Sequence, residues 1–397
     1  MELAPLRLKK DEDRRLRAGH LWVFSNEVDT QVTPLSGFTP GQAVAIQAAN
    51  GKPLGNGYVN PASLICARLV SRDPHYQLNQ SLLVHRLNIA LALRESLFDK
   101  PCYRLVYGEG DGLPGLVVDR FNDVLVAQIT TAGMEQVKEA VIAALDKVLR
   151  PRAIVLRNDS GIRALEGLDS YVATALGEAP DQVPLEENHT RFEAPVLGGQ
   201  KTGWFYDHRM NRARMQHYVR DRRVLDVFSY IGGWGGQAAT AGARQVTCID
   251  ASEQALDRLH HNARLNQAQD KIDTICGDAF DALKALREEQ QKYEVVILDP
   301  PAFIKRKKDL KEGLLAYQRI NQLAMQLVAK DGILISASCS FQLERPRLRE
   351  AMQKAARHLD RNLQILEQGH QGPDHPVHPA IPETDYLKAY FTRLLHD

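Results

Sequence analysis

From about residue 190 onward the sequence alternates apolar strands with amphipathic helices, and this alternation constrains the chain more than any other feature. "RVLDVFSY" reads as a strand, "GGWGGQAATAGA" as a glycine-rich turn into a helix, and "QVTCID" as a second strand. "SEQALDRLHHNARLNQ" predicts a helix with Ser252 as its N-cap. "IDTICGD" and "YEVVILDPP" supply further strands, with the helix "AFDALKALREEQQ" between them. A helix over about 310–329 leads into the strand "GILISASCS". After the helix "ERPRLREAMQKAARHL", two late strands, "NLQILEQ" and "YLKAYFTRLL", complete the pattern. Such alternation predicts a doubly wound, mostly parallel α/β sheet.

The rest of the chain reads differently. Residues 1–72 are short strands and turns, "GQAVAIQAANGKPLGNGYVN" and "LICARLVSR", which predict a small β barrel with one early helix. Residues 73–188 mix a helix, "QSLLVHRLNIALALRESLF", with a hairpin around Asn122-Asp123 and the strand "AIVLRND", a small α+β part. The third part is 189–397, and a length of 397 residues fits two or three domains. A composition of 44% hydrophobic and 25% charged residues is that of a globular chain and argues against disorder. No apolar run reaches the ~18 residues of a membrane span, and the N-terminal segment lacks the apolar core of a signal peptide. Five scattered cysteines with no CxxC pair predict no metal site and a reducing, cytoplasmic setting.

A net charge of +1 gives no bulk attraction to nucleic acid. Three basic clusters in so neutral a chain do predict a phosphate-facing surface. They are Lys9, Lys10, Arg14, Arg15 and Arg17; Arg209, Arg212, Arg214, Arg220, Arg222 and Arg223; and Lys305, Arg306, Lys307, Lys308 and Lys311.

In a doubly wound sheet, ligands bind beyond the carboxyl ends of the strands. The first end offers Phe228, Ser229, Tyr230, Gly232 and Gly233, where glycine lets a ligand approach the backbone. The second offers Asp250 and Ala251, the third Asp278 and Ala279, the fourth Asp299-Pro300-Pro301 and the fifth Cys339. Asp250, 24 residues beyond Asp226, suits a ribose diol, whose two donors match two carboxylate oxygens. That much fits either NAD or S-adenosylmethionine. Asp-Pro-Pro separates them: it makes a stiff turn without two backbone donors. It can set a carboxylate and carbonyls against the amine or ring nitrogen of a flat base, which hydride transfer does not need. Around Cys339 the residues Ser336, Ala337, Ser338 and Ser340 are all small, and predict room for another molecule.

With these motifs the chain resembles the bacterial large-subunit ribosomal RNA cytosine methyltransferases of the "I" type. The resemblance rests on "GHLWVFSNEV", "YGEGDGLPGLVVDRF", "QKTGWFYDHR", "DVFSYIGGWG", "LDPPAF" and "SCS", and spans nearly the whole chain. It implies an N-terminal PUA-like barrel, a central α+β domain and a C-terminal class I (Rossmann-like) methyltransferase domain. It also implies S-adenosylmethionine as donor and a 23S rRNA cytosine as acceptor, giving 5-methylcytidine. Lys201, Thr202 and Arg209, in "QKTGWFYDHR", are by the same resemblance cofactor-binding residues. A homodimer is a candidate assembly. The chain departs from the family at Ile231 and Trp234, where Thr and Phe are expected, at His208, where Gln is common, and at Ala302, where some members have Lys.

The strand-end thiol then has a chemical purpose. Carbon 5 of cytosine is a poor nucleophile until a thiolate adds to carbon 6 and makes it enamine-like. Cys339 is the expected nucleophile, with Asp299 binding the base at its amine or ring nitrogen. Cys66, Cys102, Cys248 and Cys276 read as structural. His370, His375 and His378 lie in a proline-rich segment that reads as a mobile loop over the site. Two other readings stay open: N-methylation of an RNA base such as guanine, in which Cys339 is dispensable, and an RNA-binding assembly factor that holds S-adenosylmethionine without turnover.

Overall fold

The computed structural model describes residues 3–396, which pack as two compact units. One comprises the chain up to Leu185 with Ala194–Tyr206 and Pro373–Thr384. The other comprises Glu186–Glu193, Asp207–Gly372 and the chain from Asp385. The first two of the three expected parts thus pack together.

The second unit is built on a seven-stranded sheet. Its strands are β1 (Arg223–Val227), β2 (Gln245–Asp250), β3 (Ile272–Cys276), β4 (Tyr293–Leu298), β5 (Val328–Ser338), β6 (Arg361–Gly369) and β7 (Lys388–His396). Their order is β3-β2-β1-β4-β5-β7-β6. The first five run parallel, and β7 inserts antiparallel between β5 and β6. The helices between them are α1 (Gly235–Thr240), α2 (Glu253–Leu265), α3 (Ala279–Glu288), α4 (Leu310–Leu327) and α5 (Arg345–Arg357).

Sequence dictates this layering. Along β4, Val295 and Ile297 pack in one core layer, while Val296 and Leu298 pack in the other. Ile333, Leu334 and Ile335 of β5 alternate in the same way. A strand apolar on both faces must be covered on both. Leu256 and Leu259 of α2 cover one face, and Leu283 of α3, Ile320 of α4 and Leu348 of α5 cover the other. Each fully buried side chain of this kind stabilises by about 1.5–3 kcal/mol. Ser252 caps α2 as expected, its hydroxyl accepting from Ala255 N at 3.2 Å.

The first unit carries two five-stranded sheets. One pairs Ala4–Arg7, Gln42–Gln47, Pro53–Val59, Ala67–Ser71 and Trp22–Val23, with the early helix Arg14–Arg17. The other includes the expected hairpin, Leu116–Phe121 with Val124–Ile129, turning at Asn122 with φ 55°. A buried polar seam joins them: Glu166 takes Arg68 Nη1 at 3.0 Å and Asn60 Nδ2 at 2.8 Å.

The proline-rich segment is packed rather than loose, which corrects its reading as a mobile loop. Asp374 and His375 are buried in the first unit. Asp374 accepts from Arg104 N at 3.0 Å, and His375 stacks on Tyr107 with centroids 5.2 Å apart.

Candidate active site

The five parallel strands end on one edge of the second unit, and each expected strand-end residue lies there. After β1 the backbone passes through Phe228 (φ 69°) and Tyr230 (φ 49°), a left-handed conformation that costs a non-glycine residue ~1–3 kcal/mol. Phe228 N and Ser229 N both donate to Ile249 O, at 2.9 and 3.0 Å, and hold the turn. Gly232 has φ 91°, and a Cβ there would lie 2.9 Å from Leu259 Cγ. Ser229 is buried, and its hydroxyl has no hydrogen-bond partner.

Asp250 is half-buried. Its Oδ2 accepts from Tyr230 N at 2.8 Å and its Oδ1 from Ser252 N at 2.9 Å. Each oxygen keeps a lone pair, so the carboxylate is oriented yet can still take a diol. Asp278 is exposed, and its Oδ1 caps α3 through Phe280 N and Asp281 N. Ala251 is exposed and Ala279 buried. Beneath the turn Asp226 is fully buried and accepts from Gly235 N at 2.7 Å; burial pushes its carboxyl up to about 7.

The fourth strand end gathers residues that the sequence did not connect. Trp234 Nε1 donates to Asp299 Oδ2 at 3.0 Å, and His208 Nε2 lies 3.1 Å from Asp299 Oδ1. The His208 and Trp234 rings are 5.2 Å apart. Asn211 Nδ2 lies 3.1 Å from His208 Nδ1 and donates to His370 O at 3.2 Å. Burial pushes the Asp299 carboxyl up, but His208 and Trp234 outweigh it and hold the group below the usual carboxylate range. His208 and Trp234 therefore converge on one carboxylate. Beside it Phe303 contacts Phe228, Phe280 and the buried Tyr317, at centroid distances of 6.5, 6.2 and 4.9 Å, so three half-buried phenylalanine rings line this edge.

At the fifth end the serines are not the space-makers the sequence suggested. Ser338 and Ser340 are buried and face inward, and both hydroxyls meet Tyr317 Oη, at 2.8 and 2.9 Å. Successive side chains alternate along an extended chain, so with Ser338 and Ser340 inside Cys339 faces the other way. It is half-buried, where Cys66, Cys102 and Cys248 are buried. Cys276 corrects its expectation: at the end of edge strand β3 it is exposed rather than packed. The pairing Leu298↔Ser336 sets β4 beside β5 and brings Asp299 and Cys339 to neighbouring strand ends.

The remaining expected residues are placed otherwise. Thr202 is buried in the first unit and donates to Asp119 Oδ2 at 2.6 Å, while the exposed Lys201 sits over the Phe205 ring at 4.9 Å. Arg209 and Arg212 are buried around Glu187, Arg212 Nε donating to Oε1 at 2.6 Å and Arg209 Nε lying 3.5 Å from Oε2. That ion-pair core removes two members from the second basic cluster. In the first cluster Arg14 and Arg17 pair with Asp11 and Asp13. Lys305 to Lys308 are all exposed, directly after the fourth strand end.

Sequence reasoning missed His208, Trp234, Tyr317 and Lys388 as members of this edge. The signals were present for three. His208 and Trp234 were conspicuous departures, and Lys388 is a lone charge inside the apolar run "YLKAYF". Tyr317 reads as one more apolar position of α4.

Comparison with known proteins agrees with this architecture. A PUA-like domain family matches residues 6–72, and the S-adenosylmethionine-dependent methyltransferase family matches residues 132–389. Ribosomal RNA large subunit methyltransferase I of Aliivibrio fischeri is 36% identical over 98% of each chain. The protein of that name from Salmonella arizonae is 37% identical over 98% of this chain and 97% of its own. The chain belongs to the ribosomal RNA large subunit methyltransferase I family. Its fold matches a putative SAM-dependent methyltransferase from Streptococcus mutans, with TM-score 0.83, 19% identity and coverage of 98% and 100% of the two chains. A putative methyltransferase solved with SAH matches with TM-score 0.84, also at 19% identity and the same coverage.

As a member of this methyltransferase family, the protein uses S-adenosylmethionine as its methyl donor. The residues present fit that molecule. The partnerless Ser229 hydroxyl offers a polar contact, the Gly232 turn excludes a side chain, and Asp250 is an oriented acceptor for hydroxyls. Among the described residues no group of three or more His, Cys, Asp or Glu could hold a metal ion, and no helix is long and apolar enough to cross a membrane.

Proposed function

We propose that this protein methylates carbon 5 of a cytosine in 23S ribosomal RNA through a covalent adduct of Cys339. The carrying observation is the juxtaposition of the half-buried Cys339 with the ionised Asp299 at adjacent strand ends. The relatives' names, ribosomal RNA large subunit methyltransferase I, supply the substrate class. S-adenosylmethionine, when bound, supplies an electrophilic methyl on a sulfonium sulfur. Phe228, Ser229, Tyr230, Gly232, Gly233 and Asp250 form its cradle, with Ala251, Asp278 and Ala279 beside it.

The target base leaves its stack to reach the pocket. Asp299, held by His208 and Trp234, accepts from the cytosine amine. The Cys339 thiolate adds to carbon 6, its pair forming the new sulfur–carbon bond while the C5=C6 π pair shifts into the ring and makes carbon 5 nucleophilic; carbon 5 takes the methyl as the methyl's bond to the sulfonium sulfur breaks, leaving a neutral thioether. Loss of the carbon-5 proton then expels the thiolate and restores the ring. The exposed Lys305–Lys308 run supplies phosphate contacts close to the reacting edge, and the PUA-like part supplies others. Such a substrate places the protein in the cytoplasm.

The test is incubation with unmodified large-subunit RNA and labelled donor, followed by digestion to nucleosides. Labelled 5-methylcytidine is expected. A labelled N-methylpurine would replace this reading with amine methylation, and no labelled nucleoside at all would favour the assembly factor.

A further inference from the structure

Lys388 opens β7 and is 5% exposed. β7 runs antiparallel to β5, and Lys388 pairs with Ser338, so its stem leaves β7 on the inward face and its ammonium reaches past the end of β5 to the residue after Cys339. Its ammonium donates to Ser340 O at 2.6 Å and to Tyr386 O at 2.7 Å. Both acceptors are carbonyls. Among the described residues no carboxylate forms an ion pair with it and no third acceptor meets it. A buried ammonium without a carboxylate is costly, and an apolar side chain would occupy a strand interior at less cost.

The charged and titratable groups facing Lys388 are few. Asp385 acts on it from the preceding loop, Arg345 from the start of α5, and Cys339 from the end of β5. Arg345 donates to Gly369 O at 3.0 Å and Leu387 O at 3.4 Å. Tyr317, whose phenol is raised by burial, stays a neutral hydroxyl tied to the serines.

We propose that Lys388 is the counter-charge that favours the thiolate form of Cys339, and that through the Ser340 carbonyl it fixes the chain carrying that thiol. Lys388 is a positioning residue, and the inference deepens the reading of Cys339 as nucleophile. Burial pulls its ammonium down to about 8, while Asp385 and Cys339 pull it up. The charge is therefore present at neutral pH and lost as pH rises through about 8. By linkage, whatever the thiolate contributes to the ammonium, the ammonium contributes to the thiolate.

The test is the rate at which iodoacetamide alkylates Cys339 across roughly pH 6 to 9, read peptide by peptide by mass spectrometry. The exposed Cys276 is the internal reference. In the intact protein Cys339 should react with a lower pH midpoint than Cys276. Lys388→Met should slow Cys339 alkylation about tenfold at neutral pH and raise its midpoint by about one unit, leaving Cys276 unchanged. Lys388→Arg should keep the low midpoint. A folded Lys388→Met protein with an unmoved Cys339 midpoint overturns the proposal. So does a native Cys339 midpoint equal to that of Cys276, which needs no variant. Failure of the methylation reading is separate: an active Cys339→Ala enzyme would remove the nucleophile while leaving the alkylation result in place.

Discussion

The ends of β1 and β5 lie on the same edge of one sheet and are built from opposite materials. The turn after β1 is held by main chain: two amides on the Ile249 carbonyl, two residues at positive φ, and a glycine that leaves no room for a Cβ. The end of β5 is held by side chains: Tyr317 bridges Ser338 and Ser340, and Lys388 takes the Ser340 carbonyl. A main-chain cradle suits a ligand bound largely through backbone approach and one carboxylate. A side-chain scaffold suits a group whose ionisation must be set. Substitutions at the two ends should therefore fail differently, in binding at the first and in chemistry at the second.

The largest contrast comes from Cys339→Ala. Methyl transfer should be abolished while donor affinity by calorimetry is unchanged, because in the proposed mechanism the thiol makes a bond and recognises nothing. RNA carrying 5-fluorocytosine should trap the native enzyme covalently, since fluorine blocks the final elimination, and should not trap the variant. Tyr317→Phe comes next. It leaves the buried Ser338 and Ser340 hydroxyls short of a partner, so stability should fall by about 1–3 kcal/mol in urea denaturation. Transfer should slow while donor affinity is spared.

Asp250→Ala should shift the weight to binding: a folded protein in which the Tyr230 and Ser252 amides lose their acceptor, with a loss of about 1–3 kcal/mol in donor binding. An unchanged affinity would take Asp250 out of the cradle. A signal in pH dependence rather than in binding is expected at Asp226, whose folded-state carboxyl is raised to about 7 by burial. Between the ordinary carboxylate value of about 3.9 and this one, the folded state holds a proton that the unfolded state has released, so stability falls as pH rises through that window. Asp226→Asn should flatten that part of the profile, measured by denaturation at about pH 5 and about pH 8. A profile unaltered by the substitution would show that Asp226 is ionised throughout.

The second unit was legible because its signals are local. Apolar runs such as "VVIL" and "ILIS" announce buried strands, and Ser252 and Asp299-Pro300-Pro301 mark where elements begin and end. What the sequence concealed depends on pairings across long separations. Nothing around Ser338 says that its hydroxyl meets a tyrosine 21 residues earlier, so small residues read as empty space. His208 and Asp299 are far apart in sequence, and only the fold makes two departures from the family pattern into one contact. Arg209 and Arg212 looked like a basic surface because their neutralising partner, Glu187, precedes them by more than twenty residues. Strand ends can be read one at a time; side-chain networks need the register.

The position of β7 also has a consequence in time. It is the last of the seven strands in the chain, yet it lies inside the sheet, between β5 and β6. Until residues 388–396 leave the ribosome, β5 ends in an open edge and β6 has no neighbour to join. Contacts between strands so distant in sequence form late and slowly. Its first residue, Lys388, donates to the Ser340 carbonyl beside Cys339, so the chain around the thiol lacks this anchor until β7 is in place, and the site is completed by the final stretch of the sheet.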